Sequence, residues 1–191
     1  DSNRYQLLTS RNLLDWTPSQ ILAIPGSTEC PDLFRIRLEG TNQWKWVFWG
    51  CTDNYLVGHM EAGRFVPEGE YVPGPSHRIY VPDRVNARTT GGYAAQTYFG
   101  APEGRVLQHA WLRPRTEGTP FLFCASIANE LRLVSTEQGP RLRVLPAKEI
   151  AHMYERVYEI RNRGEEEFER LPRDIFSECM DIAFTVDIRG D

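Results

Sequence analysis

The chain has 191 residues, 41% of them hydrophobic and 25% charged, with a formal net charge of −4. That length holds one ordinary domain or parts of two. No basic patch marks a nucleic-acid surface, so nucleic acid is not expected as a partner, and no apolar run approaches the roughly 20 residues that span a bilayer, so no membrane span is expected. Aromatic residues reach 12%, a richness that suits sheet packing and sugar stacking alike.

Strand signals dominate residues 1–146. Residues 5–9 read as a strand and residues 10–16 as the turn after it. Glu29-Cys30-Pro31-Asp32-Leu33-Phe34 then sets a carboxylate just before a strand punctuated by proline. In residues 33–38, Phe34, Ile36 and Leu38 share one face and Arg35 and Arg37 the other, the period of a half-buried strand. Residues 44–49 and 55–60 make two more strands, and Glu61-Ala62-Gly63-Arg64 turns the chain into Phe65-Val66-Pro67. Residues 67–91 are too rich in proline for a central strand and read as a surface loop. Residues 93–99 pair with 105–112, and residues 130–135 with 141–145, each across a Gly- and Pro-containing turn. Hairpin after hairpin without a helix is the pattern of an all-β propeller, sandwich or barrel.

The pattern changes after Pro146. Ile150, Met153, Tyr154, Val157 and Tyr158 form a helical stripe, which predicts a short amphipathic helix or helical linker over residues 147–160. Residues 161–170 are a charged loop. Met180, Ile182, Phe184, Val186 and Ile188 then alternate with Asp181, Ala183, Thr185, Asp187 and Arg189, the signature of one more strand. The chain opens on Asp1 and stops just after that strand, so further sequence is expected on both sides.

The four cysteines, Cys30, Cys51, Cys124 and Cys179, lack zinc or redox spacing and read as buried free thiols, with a disulfide left open. The histidines His59, His77, His109 and His152 show no metal spacing, and there is no nucleophile elbow or phosphate loop. No metal and no cofactor are expected.

Glu29 is the residue with a chemical reading. Glycoside hydrolysis needs one acid to protonate the leaving oxygen and a second carboxylate at the anomeric carbon. Such an acid needs its pKa raised by burial or by a neighbouring negative charge, and Asp32 is the nearest carboxylate in sequence. The bland alternative is a solvated loop carboxylate.

Several motifs, taken together, resemble glycoside hydrolase family 32, the β-fructosidases (invertases, levanases, inulinases). The first is Glu29-Cys30-Pro31-Asp32-Leu33-Phe34. The lead-in Tyr5-Gln-Leu-Leu-Thr-Ser10 with Leu13-Leu14-Asp15-Trp16-Thr17 agrees with it. Tyr93-Ala94-Ala95-Gln96-Thr97-Tyr98 follows, then Gly104-Arg105-Val106-Leu107 through Ala110-Trp111-Leu112. Asn129-Glu130-Leu131-Arg132-Leu133 with Gly139-Pro140-Arg141-Leu142 resembles the last propeller hairpin.

The resemblance implies a five-bladed β-propeller followed by a β-sandwich. Residues 1–146 would hold about three blades, residues 147–160 a linker and residues 161–191 the start of the sandwich. It implies Glu29 as general acid/base, with Asp32, Tyr93, Gln96 and Trp111 about the sugar of a fructose-containing oligo- or polysaccharide.

The chain also departs from the family pattern. Thr28 stands where tryptophan is common, and Gly91-Gly92 where an acidic and an aromatic residue often precede the Tyr93 motif. The Asn-Asp-Pro-Asn nucleophile motif and the Arg-Asp-Pro motif are both absent. Asp15 and Asp174 read as solvated carboxylates, and Glu178-Cys179 as a coincidental repeat. The chain is therefore expected to be a piece of a retaining glycosidase, inactive without the missing N-terminal part. The alternatives are a non-catalytic carbohydrate-binding or interaction module on a degenerate propeller, or an unrelated all-β protein.

Overall fold

A computed structural model describes residues 3–74, 92–112, 118, 120, 123–155 and 157. The chain divides into two compact units, Asp1–Ala151 and His152–Asp191. All strands among the described residues belong to the first. The strand expected over residues 180–189, the charged loop at 161–170 and most of the loop beyond Gly74 lie outside the described residues.

The described residues of the first unit form three antiparallel sheets. A hairpin pairs β1 (Arg4–Ser10) with β2 (Trp16–Ala23). A four-stranded meander follows, β3 (Asp32–Arg37), β4 (Trp44–Trp49), β5 (Tyr55–Glu61) and β6 (Arg64–Pro67), paired in chain order. The third sheet has the order β11-β10-β8-β7, built from β7 (Gly92–Thr97), β8 (Val106–Leu112), β10 (Asn129–Thr136) and β11 (Gly139–Pro146). A short β9 (Cys124–Ala125) also pairs with β8. β9 and β10 act as halves of one broken strand, since β8 pairs through Trp111 and Leu112 with the first and through residues 106–108 with the second. Between them Ser126 bridges the gap: its N–H donates to Ala110 O (2.9 Å) and its Oγ accepts from Ala110 N (3.0 Å).

The alternation in β3 is as expected, with Phe34 and Ile36 buried and Arg35 and Arg37 exposed. The middle sheet goes further. Val47, Phe48 and Trp49 are buried in succession, because both faces of this sheet are covered. One face carries Phe34, Ile36, Val47, Trp49, Tyr55 and Val57 against Ala95, Val106, Ala110, Leu131, Leu133 and Leu142 of the third sheet. The other carries Phe48, Leu56 and Phe65 against Leu22 and Ile24 of the hairpin. Four-stranded antiparallel sheets stacked face on face are the build of a β-propeller, and the first unit is a partial one.

Two contacts fix the stacking of the middle and third sheets. Leu38 and Leu133 form a parallel bridge, with Glu39 N–H donating to Leu133 O at 2.8 Å. The buried Tyr55, stacked on Trp49 with centroids 5.7 Å apart, takes the Leu142 N–H on its hydroxyl at 3.0 Å. Gln108 lies on the same buried face as Val106 and Ala110, and among the described residues neither atom of its amide has a hydrogen-bond partner.

Three expectations need correction. β2 was not anticipated, because Pro18 and the polar Thr17, Ser19 and Gln20 hide its alternation. Of the helix or helical linker expected over residues 147–160, residues 156 and 158–160 lie outside the described residues, and the described ones show a six-residue 3₁₀ helix, Lys148–Met153. Its Glu149 is tied to Arg105, which also pairs with Glu130 at 2.8 Å. Cys30, Cys51 and Cys124 are free thiols, but only Cys51 is buried, because Cys30 and Cys124 sit at the ends of strands rather than within a sheet face.

Candidate active site

Glu29 projects from the connection between the hairpin and the middle sheet, and a series of hydrogen bonds fixes that connection. Buried Ile24 anchors its start. Gly26, at φ 76°, then lets the chain fold back so that Ser27 N–H reaches Ile24 O at 3.1 Å. Ser27, fully buried, shares a 2.5 Å hydrogen bond with Thr52, and Asn54 Nδ2 donates to Pro25 O at 2.8 Å. Gly50 makes this approach possible, since a Cβ there would collide with the Ser27 side chain. Tyr5 Oη donates to the carbonyl of Glu29 at 3.3 Å, and Gln96 Nε2 to the carbonyl of Cys30 at 3.0 Å. Cys30 sits at φ 47°, a region L residues seldom occupy, and Pro31 and Asp32 lead from it into β3.

The opposite wall is β7, and its register explains how two of its polar residues face the same way. Tyr93 pairs with Trp111 and Gln96 with His109. Three steps on β7 therefore match two on β8, so an extra residue bulges out of the ladder. Ala94 adopts φ 53° at this point and its N–H donates to Cys51 O at 3.2 Å, while Ala95 is fully buried in the core. Without the bulge, strict alternation would send Tyr93 and Gln96 to opposite faces. With it, both reach the Glu29 segment.

Tyr93 Oη donates to Glu29 Oε1 at 2.6 Å and lies 3.3 Å from Cys51 Sγ. Among the described residues nothing hydrogen-bonds Glu29 Oε2, and Glu29 is exposed. The Tyr93 phenol is pushed well above its ordinary range, first by its hydrogen bond to Cys51 and then by Glu29. Burial, with smaller contributions from Cys51, Cys30 and Glu29, raises Tyr5 to about 12. Burial and then Glu29 and Cys51 raise the Cys30 thiol, which keeps it protonated.

Of the residues singled out in the sequence, Glu29, Tyr93 and Gln96 are brought together. Asp32 instead turns one oxygen onto the β7 backbone, Oδ2 accepting from Thr97 N–H at 2.7 Å. Trp111, 38% exposed, stands opposite Tyr93 in the ladder and meets Phe123 edge to face at 4.8 Å. Tyr5 and Cys51 carry no sequence signal for their place here, since only the packing of the hairpin and the third sheet onto the middle one brings them to Glu29. The bulge did leave a trace, as two small residues separate Tyr93 from Gln96.

The sequence profile described as "Glycosyl hydrolases family 32 N-terminal domain" matches residues 1–146. A levanase of Bacillus sp. (strain L7) is 30% identical over 166 residues, covering 78% of this chain and 17% of the levanase. An extracellular exo-inulinase of Meyerozyma guilliermondii is 26% identical over 61% of this chain and 24% of its own length. Among solved structures, exo-inulinase from Aspergillus awamori superposes with a TM-score of 0.57 at 22% identity, over 76% of this chain and 31% of that one. Fructan 1-exohydrolase IIa from Cichorium intybus gives 0.57 at 18% identity, over 81% and 32%. These superpositions show a shared fold. The chain spans about a sixth to a quarter of the length of these curated relatives.

Proposed function

The chain belongs to glycosyl hydrolase family 32, and on that footing we propose that it carries the acid/base carboxylate, Glu29, of a retaining hydrolase of β-fructosides of the sucrose, levan or inulin type. The observation that carries this reading is the way Glu29 is held. Oε1 is fixed by Tyr93, the backbone on either side is clamped by Tyr5 and Gln96, and nothing described engages Oε2. One oxygen sets the position and the other is available to exchange a proton with substrate. Glu29 would protonate the leaving glycosidic oxygen, then deprotonate the water that releases the sugar from a covalent intermediate, with retention. The second carboxylate of that mechanism would come from sequence that precedes this chain. Asp32 and Gln96 serve as braces of the acid segment, and Trp111 offers a stacking face.

The 191-residue chain alone is expected to release no fructose from levan, inulin or sucrose. Joined to an N-terminal segment that carries the nucleophile motif, it is expected to hydrolyse them. Glu29→Gln in the joined protein should then lower kcat by at least about 100-fold. A joined protein whose kcat survives Glu29→Gln would remove Glu29 from the reaction. A second reading, a non-catalytic carbohydrate-binding module, draws on the exposed Trp111–Phe123 pair. Calorimetry separates the two, since saturable fructan binding by the isolated chain, with no turnover in the joined protein, would favour the module.

A further inference from the structure

Among the described residues the Tyr93 hydroxyl, with a single proton to donate, reaches two acceptors, Glu29 Oε1 at 2.6 Å and Cys51 Sγ at 3.3 Å. A phenol can donate to only one of them at a time. The short contact to Glu29 lies in the range of a charge-assisted O–H···O⁻ bond, so the phenol donates to the carboxylate while Glu29 is ionised. That bond stabilises the ionised form, which suits a general base and opposes a general acid. A residue that serves as both needs the opposition removed once it is protonated. Cys51 is placed to do so. It is 1% exposed at the turn between β4 and β5, and its carbonyl is held by Ala94 N–H, which fixes the turn against the bulge that carries Tyr93.

We propose that Cys51 is a positioning residue for the acid/base: its sulfur accepts the Tyr93 hydrogen bond when Glu29 is protonated, and the phenol turns back to Oε1 when Glu29 is ionised. No proton leaves Tyr93 in this motion. The catalytic proton passes between Glu29 Oε2, the leaving oxygen and water, while the phenol only changes the acceptor it faces. The proposal rests on Glu29 being the acid/base. Among the described residues the other titratable groups coupled to this node are Tyr5 from β1 and Cys30 from the acid segment. Both stay neutral around neutral pH, Tyr5 because its pKa lies at about 12 and Cys30 because its thiol is raised. Neither is hydrogen-bonded to the Glu29 carboxylate.

The test is a titration of the chain carrying carboxyl-labelled glutamate, followed by carbon NMR, with the Glu29 resonance assigned through Glu29→Gln. Tyr93→Phe removes the donor and should raise the Glu29 midpoint by about one pH unit, tenfold in proton affinity. Cys51→Ala removes the sulfur acceptor that competes with the carboxylate and should lower the midpoint by about half a unit, roughly threefold. Cys51→Ser restores an acceptor and should bring it back. Adding Cys51→Ala to Tyr93→Phe should change nothing further, which a purely structural effect of the cavity would not reproduce.

An unmoved midpoint in Cys51→Ala, or an equal shift in both backgrounds, overturns the proposal. Should Cys51→Ala not fold, the Cys51 β-carbon of the unsubstituted chain decides. It must shift at the Glu29 midpoint and cease to do so in Tyr93→Phe, and a β-carbon that ignores Glu29 is equally fatal. These midpoints require no turnover. Failure of the hydrolase reading would appear only in the fructose-release assay, and failure of the relay only in the titration.

Discussion

The hydroxyl of Tyr55 accepts the backbone N–H of Leu142, 87 residues away in sequence, at 3.0 Å. The bond crosses from the middle sheet to β11 of the third, inside the apolar layer that both share. Tyr55→Phe preserves the ring on Trp49 and strands a buried N–H. It should cost about 1–3 kcal/mol of stability. Urea unfolding measures the loss, and faster exchange of the Leu142 amide would tie it to this bond.

Gln108 poses the opposite case. Its amide is buried with no partner among the described residues, so Gln108→Met, which keeps the length of the side chain and removes the polar atoms, should stabilise the chain by about 1–2 kcal/mol. A loss of stability in the same unfolding assay would mean that the amide is satisfied in solution.

Ala94 supports the bulge with a backbone angle that costs an L residue about 1–2 kcal/mol. Ala94→Gly should relieve part of that, raising the unfolding midpoint slightly, while a β-branched Ala94→Val should lower stability by more than 1 kcal/mol, an order-of-magnitude expectation. The Gln96 side-chain amide resonances report whether its bond to Cys30 survives. They should be unchanged in Ala94→Gly and displaced in Ala94→Val.

Glu149 gives the fold an acid sensitivity of defined sign. Its hydrogen bond to Arg105 holds its carboxyl down, from 4.5 to about 2. A depressed folded-state pKa contributes stability that is present above the unfolded value and is lost as pH falls through the folded one. Glu149→Gln should therefore flatten the decline of the thermal midpoint between pH 4.5 and about 2, with the smaller effect of an exposed pair. A decline as steep as that of the parent chain would assign the acid sensitivity elsewhere.

Much of the sheet architecture is legible in the chain because alternation and turn chemistry are local. Phe34, Ile36 and Leu38 announce β3, and Glu61-Ala62-Gly63-Arg64 announces the last turn of the middle sheet. β2 is hidden because its polar Ser19 and Gln20 face the backbone at β6, bonding Gly63 O and Phe65 O, so the strand needs little alternation of its own. The helical stripe after Pro146 misled because periodicity alone does not supply a partner surface or the length an isolated helix requires. At the site, the Glu29 and Tyr93 motifs were recognisable as words. Their meeting depends on one inserted residue at Ala94, and the part of Cys51 depends on a turn from another strand pair. Neither relationship is written in local sequence.

The uneven covering of the three sheets has its own consequence. Among the described residues only the middle sheet is shielded on both faces, whereas the hairpin leaves Leu8, Trp16 and Ile21 exposed. Local opening follows such differences in burial, so amide exchange should release β1 and β2 first and β4 last. Glu29 leads into β3 through Cys30 and Pro31, yet its backbone carbonyl leans on Tyr5 of the strand that opens early. Its carboxylate is thus rooted in the slowest-opening part of the chain while one of its clamps belongs to the fastest, and partial unfolding would loosen the acid before it dismantled the sheet beneath it.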